Sequence, residues 1–465
     1  MNLLVLCTDT YRADYLGCYG NPWISTPRID RLAAEGVRFA DFHGEGLPTI
    51  PSRRVFYTGR RVFPFAYHPQ KSDPVQLPGW HPLFEEDVTI AEWLADRGYT
   101  TALVSDLYHL MKPGKNFHRG FHSWEWIRGQ EADHLTPTPK PDVDLSPYVH
   151  PQEPERSTLR LFSAQYLNNR VWWKDEADHY AAQVMRGAAN WLRQWGHKRP
   201  WLLWVESFDP HEPWDPPRED AARYCANLDG LHLFWAPAFV KDCREGEFER
   251  IRANYAGECT HVDRWCGHVL DVLDEMGLAD DTIVAFTSDH GTMMGEQGEI
   301  HKGHDRVRIQ VTRSPLVIRN PRDPRAGTVV DGLAQQQDLM PTLLGLLGEP
   351  VPDRCDGADL WPFVTGEREG NAHDVAITGF GAYASVRTKE WNYQAAWTHP
   401  PHGTVRPPEL YDRRSDPDEL VNAIDRHPEV ARALQARLDE ALSRGPTAGS
   451  VGVTETPAAI PGVKW

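Results

Sequence analysis

Residues 49–60, Thr-Ile-Pro-Ser-Arg-Arg-Val-Phe-Tyr-Thr-Gly-Arg, combine a hydroxyl, a predicted helix start and basic side chains. Pro51 suits the first turn of a helix, because its missing N–H has no intrahelical partner there, and Gly59 suits the position just past the helix end. Thr49 then lies at a helix N-terminus, where free backbone N–H groups favour an anion. Arg53, one turn further on, reaches the same point. These residues favour a site for a tetrahedral oxyanion such as phosphate or sulfate; an ordinary helix start with a threonine near its cap is the alternative.

Side chains that can bind a metal ion follow two predicted strands. Residues 2–8 are a continuous apolar run, typical of a buried parallel strand, and Asp9 comes next. Residues 282–287 read as a second such strand, followed by Asp289 and His290. Ligands in open α/β sheets gather at the carboxyl ends of strands, so these three side chains can face one ion. A loop cap and a polar turn are the alternatives.

Strands and helices alternate along most of the chain, which predicts an α/β fold with a large, mainly parallel sheet flanked by helices. His211 lies just past one of these predicted strands, like Asp9 and Asp289. Further strands are predicted over residues 37–40, 100–104, 200–208 and 314–319, and helices over 26–36 (with Thr26 as cap), 88–97, 180–194, 251–276 and from 337.

The pattern changes near residue 376. Short strands over 382–388, 391–396 and 409–412 precede a helix near 428–443, which predicts a smaller α+β C-terminal subdomain. The expected division is a catalytic domain over 1–375, the subdomain over 376–443 and a tail over 444–465. The polar, proline-rich residues 112–178 are predicted to be loops over the site, and they include Lys112, Lys115, His118 and Arg119.

Composition limits the classes of partner. The 465 residues carry a formal net charge of −17, which argues against nucleic acid and against an anionic membrane surface. No apolar run approaches the roughly 20 residues that span a bilayer. The seven cysteines form no Cys-x-x-Cys pair, and we expect reduced thiols in a cytoplasm. The expected partner is a small anionic ester, and the formation of a homo-oligomer stays open.

Taken together, these segments resemble the sulfatase family of the alkaline phosphatase superfamily. Residues 49–53 and 58–60 are similar to its signature Cys/Ser-x-Pro-Ser-Arg followed by Thr-Gly-Arg. The other matching segments are Asp9 with residues 17–20 and 288–291, similar to the two metal-binding segments, and 409–412 with 416–419, similar to the C-terminal signature.

The resemblance also implies roles for basic side chains. His211, in a Pro-His-x-Pro-Trp context, resembles the active-site histidine of the family, and Lys302 resembles its substrate lysine. His109 lies near the position of the family's Lys-x-His pair. Lys112 and His304 are further candidates for substrate binding.

The sequence departs from the family at several positions. The family oxidises Cys or Ser at position 49 to formylglycine, but Thr49 carries a β-methyl group and cannot become an aldehyde. Thr10 stands at the usual second Asp of the first metal segment, and His290 at the usual Asn of the second. Two further departures are Asp106 at an expected Lys and Gln297 at a frequent His, and the acidic pair expected after Lys302 is missing.

These departures change which metal ion the site is expected to bind. Sites of carboxylate and amide oxygens suit calcium, whereas an added imidazole favours manganese, zinc or iron. We therefore expect one divalent metal ion at Asp9, Thr49, Asp289 and His290, a set that resembles that of the mononuclear phosphonate monoester hydrolases. A Thr nucleophile with Asp-His resembles the phosphodiesterase and lipoteichoic-acid-synthase branch more closely.

The resemblance implies a metal-dependent hydrolase in which the metal activates the hydroxyl of Thr49. Arg53 and Lys302 are expected to stabilise charge on the transferred group, and His211 or His109 to protonate the leaving group. Water would then cleave the phospho-threonine, which favours phosphodiesters or phosphonate esters. The alternatives are a sulfuric ester hydrolase, and a catalytically impaired or nucleophile-substituted homologue that binds an oxyanion.

Overall fold

The computed structural model describes most of the chain. The described residues are 1–65, 75, 77–137, 143–155, 157–303, 305–400 and 405–445. The predicted tail beyond residue 445 and the candidate residue His304 lie outside them.

The strands agree in position with the predicted ones and add several that the sequence pattern did not reveal. They are β1 Asn2–Thr8, β2 Val37–His43, β3 Gly46–Leu47, β4 Thr100–Ser105, β5 Ser123–Trp126, β6 Trp201–Ser207, β7 Thr282–Ser288, β8 Met293–Met294, β9 Ile300–His301, β10 Leu316–Arg319, β11 Thr328–Gln335, β12 Ala376–Phe380, β13 Tyr383–Arg387, β14 Trp391–Ala396 and β15 Glu409–Asp412.

The α-helices lie between these strands along the chain and after them. They are α1 Pro27–Glu35, α2 Thr49–Thr58, α3 Ile90–Ala95, α4 Tyr108–Met111, α5 Thr158–Asn169, α6 Tyr180–Trp195, α7 Arg218–Ala221, α8 Glu247–Glu275, α9 Ile309–Thr312, α10 Leu339–Leu347, α11 Trp361–Thr365 and α12 Pro428–Ser443.

Eight strands form the large sheet, in the order β11-β2-β10-β7-β1-β6-β4-β5. Its paired strands are parallel except for β10, which is antiparallel to both β2 and β7. Alternate residues of β1 point to opposite faces: Leu4 and Leu6 pack with α1, α6 and α8, whereas Leu3, Val5 and Cys7 pack with α2, α3 and α10. Both faces are therefore covered by helices, and the predicted fold class is confirmed.

A smaller sheet follows the large one along the chain, in the order β15-β14-β13-β12-β3. Its strands pair antiparallel except for β3, which lies parallel to β12. Ala431, Leu434 and Leu438 of α12 pack on this sheet. Because β3 comes from the segment just before α2, the small sheet supports the start of that helix. The domain boundary predicted at residue 375 stays a prediction.

The prediction that residues 112–178 are loops is wrong in part, because the segment contains β5 and α5. β5 extends the large sheet next to β4, but it is only four residues long and largely exposed, so its short polar–apolar alternation was not recognised as a strand. The buried face of α5 includes Ser163, Gln165, Asn168 and Asn169, so no apolar helical period marks it. This helix could not be recognised from the sequence because many of its buried side chains are polar.

Two further predictions concern the cap of α1 and the state of the cysteines. Thr26 precedes α1 but makes no side-chain cap bond; its hydroxyl instead accepts from the N–H of Gly17 and lies 3.2 Å from the Asp30 carboxylate. All seven cysteines lie within the described residues and are free. Across the described part of the chain, every helix is too short or too polar to cross a membrane.

A buried carboxylate just before α10 joins the end of β11 to the segments that precede α11 and β12. Asp338 is fully buried and accepts backbone hydrogen bonds from Gln335 and Ala358, at 2.8 Å each. The Nε2 atom of His373 lies 2.9 and 2.8 Å from its two oxygens. Burial disfavours the imidazolium, but the Asp338 carboxylate outweighs it and raises the pKa of His373 above its ordinary value. The pair is therefore a stabilising interaction that depends on pH.

We expect His373→Gln to lower the free energy of unfolding by about 1 kcal/mol at pH 6 and by less at pH 9. A raised pKa in the folded state gives stability that is complete below the unfolded pKa of about 6.5 and is lost as pH rises through the folded value. Urea denaturation of both proteins at each pH measures the difference, with His118→Gln on the exposed surface as the control. Equal losses at both pH values would contradict the assignment.

Candidate active site

Three side chains that can bind a metal ion meet at the carboxyl ends of adjacent strands. Asp9 follows β1, and Asp289 and His290 follow the neighbouring β7. One ligand atom from each lies within 4.8 Å of the others. All three side chains are completely buried. The three residues predicted from the sequence therefore lie together, as expected for residues that follow neighbouring parallel strands.

His290 has the arrangement of a metal ligand. Its Nδ1–H donates to the Gly291 carbonyl oxygen at 2.9 Å, which leaves the lone pair on Nε2. That atom has no hydrogen-bond partner among the described residues. It lies 3.4 Å from Asp289 Oδ2 and 4.0 Å from Asp9 Oδ1.

Burial lowers the pKa of His290 to about 3, so the ring is neutral near pH 7. A lone pair that faces two carboxylates is repelled by both unless a cation lies between them. The residues present therefore fit a divalent metal ion, with Asp9, Asp289 and His290 as its ligands.

Thr10 holds the two carboxylates in place. Its backbone has φ 64°, in the left-handed region that non-glycine residues rarely adopt. In this conformation its N–H donates to Asp289 Oδ1 at 2.9 Å and its hydroxyl donates to Asp9 Oδ1 at 2.7 Å. Strained backbone of this kind, which costs roughly 1–3 kcal/mol, persists where surrounding contacts fix it. Thr10 therefore orients the carboxylates on both sides of it.

Arg53 of α2 is completely buried and binds three carboxylates. Its Nη1 donates to Asp9 Oδ2 at 2.9 Å and also to Asp289. Its Nε and Nη2 both donate to Glu206 Oε2 at 3.1 Å. Arg53 is predicted from its position in the helix to reach an anion at the helix start, and its guanidinium also connects α2 to the ends of the strands.

The carboxylates around Arg53 show that the site is short of positive charge. Burial opposes ionisation of Asp9, but Arg53 and nearby cationic groups hold its pKa below the usual range. Burial and the charge of Asp9 together raise the pKa of Asp289 well above its ordinary value, despite Arg53. A divalent ion between the two carboxylates would favour the ionised form of both.

Thr49 is the first residue of α2 and is 2% exposed. Residues four apart share a helix face, so Thr49 lies on the face that carries Arg53. The Ser52 hydroxyl anchors the helix start by donating to the Gly46 carbonyl oxygen at 2.9 Å. Gly59 ends α2 with φ 65°, as the spacing predicts.

His211 and Lys302 meet at a carboxylate that the sequence analysis missed. Lys302 Nζ donates to both oxygens of Glu212 at 3.1 Å, and His211 Nδ1–H donates to the Glu212 carbonyl oxygen at 2.5 Å. Burial lowers the pKa of His211 from its ordinary value. Burial opposes ionisation of Glu212, yet His211 and Lys302 hold its pKa well below the usual range. Glu212 therefore holds Lys302 beside His211.

His109 of α4 and His211 both lie near the ring of Phe208. The Phe208 ring centroid is 4.0 Å from that of His211 and 6.1 Å from that of His109. His109 Nε2 is 3.1 Å from Glu131 Oε2. Lys112 follows α4, and its Nζ lies 5.4 Å from the Tyr108 ring centroid. Its role in substrate binding stays a prediction, as does that of His304.

Three acidic residues of this site were not predicted from the sequence, which are Glu131, Glu206 and Glu212. Glu206 could have been recognised, because it is the one acidic residue in a mostly apolar strand. Glu131 and Glu212 stand in turns, and the side chains that they contact lie far from them in the sequence. Glu131, for example, contacts a histidine 22 residues earlier.

Comparison with known proteins assigns the chain to a family. The Sulfatase family model matches residues 1–349, and the model for the C-terminal region of N-sulphoglucosamine sulphohydrolase matches residues 306–445. The arylsulfatase of Clostridium perfringens (strain 13 / Type A) is 27% identical over 463 residues, covering 91% of this chain and 90% of that protein. Arylsulfatase A of Homo sapiens is 27% identical over 508 residues, covering 96% and 90% respectively.

Among solved structures, the phosphonate monoester hydrolase of Agrobacterium radiobacter superposes with a TM-score of 0.70 at 23% identity, with 95% of each chain covered. This likeness confirms the fold. Because the Sulfatase model matches three quarters of the 465 residues, the chain belongs to the sulfatase family. It is a hydrolase of the alkaline phosphatase superfamily, as the sequence motifs indicated.

We expect Asp289→Asn to lower the bound divalent metal by one ion per chain. The change removes a charged ligand while keeping the shape of the side chain. Elemental analysis of the purified protein after dialysis measures the loss. Glu45→Gln is the matched control, since burial raises the pKa of this other buried carboxyl to about 8 and its charge matters little near pH 7. Unchanged metal content in Asp289→Asn would remove that residue from the ligand set.

Proposed function

We propose that this member of the sulfatase family cleaves phosphodiesters or phosphonate esters, with Thr49 as the nucleophile. The observation that supports this most is the threonine itself, at the start of α2 and one turn from Arg53. Its β-carbon carries a methyl group, so the formylglycine route of the family is closed to it. A threonine hydroxyl can still displace an alkoxide at phosphorus.

The expected cofactor is one divalent ion, held by Asp9, Asp289 and His290 and close to Thr49. An imidazole beside two carboxylates favours manganese, zinc or iron over calcium. When bound, the ion supplies Lewis-acid activation of the ester and of the hydroxyl.

The residues of the chain then carry out two displacements. In the first, the Thr49 hydroxyl gives its proton to solvent and Oγ1 forms a bond to phosphorus, while the bond to the leaving alkoxide breaks. Arg53 and Lys302 offset the charge of the equatorial oxygens. His211 or His109 gives a proton to the leaving oxygen, and for His211 the available atom is Nε2, since Nδ1 bonds to the Glu212 carbonyl oxygen.

In the second displacement, water attacks phosphorus and releases Thr49, which regains its proton. His211 is neutral once it has given its proton to the leaving oxygen, and burial favours that form by lowering its pKa, which suits removal of a proton from the water. Asp9, Asp289 and His290 are fully buried, whereas Lys302 is 11% exposed in its side chain. We infer that the ester enters from the side of Lys302.

A second candidate function is hydrolysis of sulfate esters. Both family models carry sulfatase descriptions, and the two curated relatives named above are arylsulfatases. A sulfo-threonine would have to be cleaved at sulfur, because elimination from a hemiacetal needs formylglycine. An impaired homologue that binds an oxyanion is a third reading, but the intact set of Asp9, Asp289, His290 and Arg53 argues against it.

We expect the protein with manganese or zinc to cleave aryl phosphodiesters and phosphonate monoesters with a higher kcat/KM than aryl sulfates. Thr49→Ala should lower that rate by about 1,000-fold or more, whereas Thr49→Ser should keep part of it. The matched control is Thr58→Ser at the other end of α2, where the hydroxyl donates to the Arg54 carbonyl oxygen. Rapid quenching at low pH followed by mass analysis should reveal a phospho-threonine at position 49.

One result would replace this proposal with the second candidate. If Thr49→Cys, produced together with the formylglycine-generating enzyme, gains a large turnover on sulfates, the chain is a sulfatase whose nucleophile has been substituted. A wild-type protein that shows no turnover on any ester of the panel, with metal bound, would instead support the impaired homologue.

A further inference from the structure

A second group of potential metal ligands lies away from the active site. It consists of Glu176, in the turn before α6, Asp220 of α7 and His261 of α8. One ligand atom from each lies within 4.8 Å of the others. Asp220 and His261 are completely buried, and Glu176 is half-buried. None of the three takes part in the site around Asp9.

His261 is the residue that requires an explanation. Its side chain is completely buried, yet neither ring nitrogen has a hydrogen-bond partner among the described residues. Buried polar atoms are almost always paired, and an unpaired one costs roughly 1–3 kcal/mol. The pattern of contacts around this ring therefore points to a bound species that satisfies it.

The spacing of the orphaned atoms fits a shared ion. His261 Nδ1 lies 3.7 Å from Asp220 Oδ2, and this oxygen also has no hydrogen-bond partner within the described part of the chain. The separation is too long for a hydrogen bond. Two ligands at about 2.1 Å from one zinc ion, at a tetrahedral angle, stand roughly 3.4 Å apart. A small adjustment would let both atoms bind one ion.

Arg264 orients the carboxylates of Glu176 and Asp220 but bonds to only one oxygen of each. Its guanidinium donates to Glu176 Oε2 and to Asp220 Oδ1, which leaves Asp220 Oδ2 facing His261. Outer partners of this kind commonly hold metal-binding carboxylates in place. Arg264 also brings one positive charge, which competes with a cation.

A further carboxyl group lies near the three ligands. Glu258 is buried, and one of its oxygens, Oε2, has no partner among the described residues. Burial raises the pKa of Glu258 well above its ordinary value, and the charges of Asp209, Asp215 and Asp220 add to that effect. A cation bound at this point would favour the ionised form of these carboxyl groups.

We propose that Glu176, Asp220 and His261 bind a second divalent cation of the transition-metal class, such as zinc or manganese. A donor set of one imidazole and two carboxylates is typical of such ions. The ion joins the turn before α6 to α7 and to the long helix α8. Its role is structural, because it fixes α7, in the segment after Trp214, against α8. This site does not depend on the proposed reaction.

Zinc content per chain, measured by elemental analysis after dialysis against zinc and then against buffer, tests the second site. We expect two zinc ions in the wild-type protein, one in His261→Asn, one in Asp289→Asn and none in the double variant. His268→Asn, on the same helix but outside the group, is the control and should keep two ions. Zinc should also raise the Tm of Asp289→Asn by several degrees but leave that of the double variant unchanged.

The outcomes separate the two sites. Loss of all zinc in Asp289→Asn, or full retention in His261→Asn, would overturn the second site and leave water as the partner of His261. If His261→Asn fails to fold, Glu176→Gln gives the same test, since it changes a half-buried ligand and leaves the buried ring intact. We expect it to weaken zinc binding at least 10-fold, and unchanged affinity would overturn the proposal.

Discussion

The buried guanidinium of Arg53 is the interaction on which the active site depends. It bonds to Asp9, Asp289 and Glu206, which follow or belong to three adjacent strands. None of these four side chains is exposed, so loss of the arginine would leave three uncompensated carboxylates in the interior. Breaking a buried ion pair by removing one partner commonly costs about 3–5 kcal/mol. Because Arg53 and Thr49 lie on the same helix, the hydrogen bonds of Arg53 also fix the position of Thr49 relative to the sheet.

The carboxylates around Arg53 also explain why a cation would be stabilised at this site. One guanidinium cannot neutralise three buried carboxylates, and the pKa of Asp289 is raised because burial and the charge of Asp9 disfavour its ionisation. The neutral ring of His290 adds a lone pair but no charge. A divalent ion would supply both the missing charge and the partner of Nε2. The arrangement and charges of these residues therefore fit a metal ion, independently of the family to which the chain belongs.

Much of this arrangement could be predicted because its signals are local. An apolar run followed by Asp9, and another followed by Asp289 and His290, needs only the rule that parallel strands end at one edge of a sheet. Long-range pairing could not be predicted in this way. Glu206 meets Arg53 across 153 residues of chain, and Glu212 meets Lys302 across 90. From the sequence, His261 is one more buried residue of an amphipathic helix. Only the three-dimensional structure shows that its ring nitrogens have no hydrogen-bond partner among the described residues.

The chemistry proposed for position 49 depends on a residue that the structure holds firmly. A threonine is stiff at χ1, and here it starts a helix whose first turn is anchored by Ser52 to Gly46, in the strand that joins the small sheet. In the proposed reaction, its hydroxyl would therefore lose little conformational freedom when it attacks. An ester at a threonine oxygen has no geminal hydroxyl, so it lacks the elimination route of a formylglycine hemiacetal, and a group transferred to Thr49 would leave only by a second displacement. Phosphorus supports two successive in-line displacements, and this requirement is the reason that we propose phosphorus esters for a threonine at the start of α2.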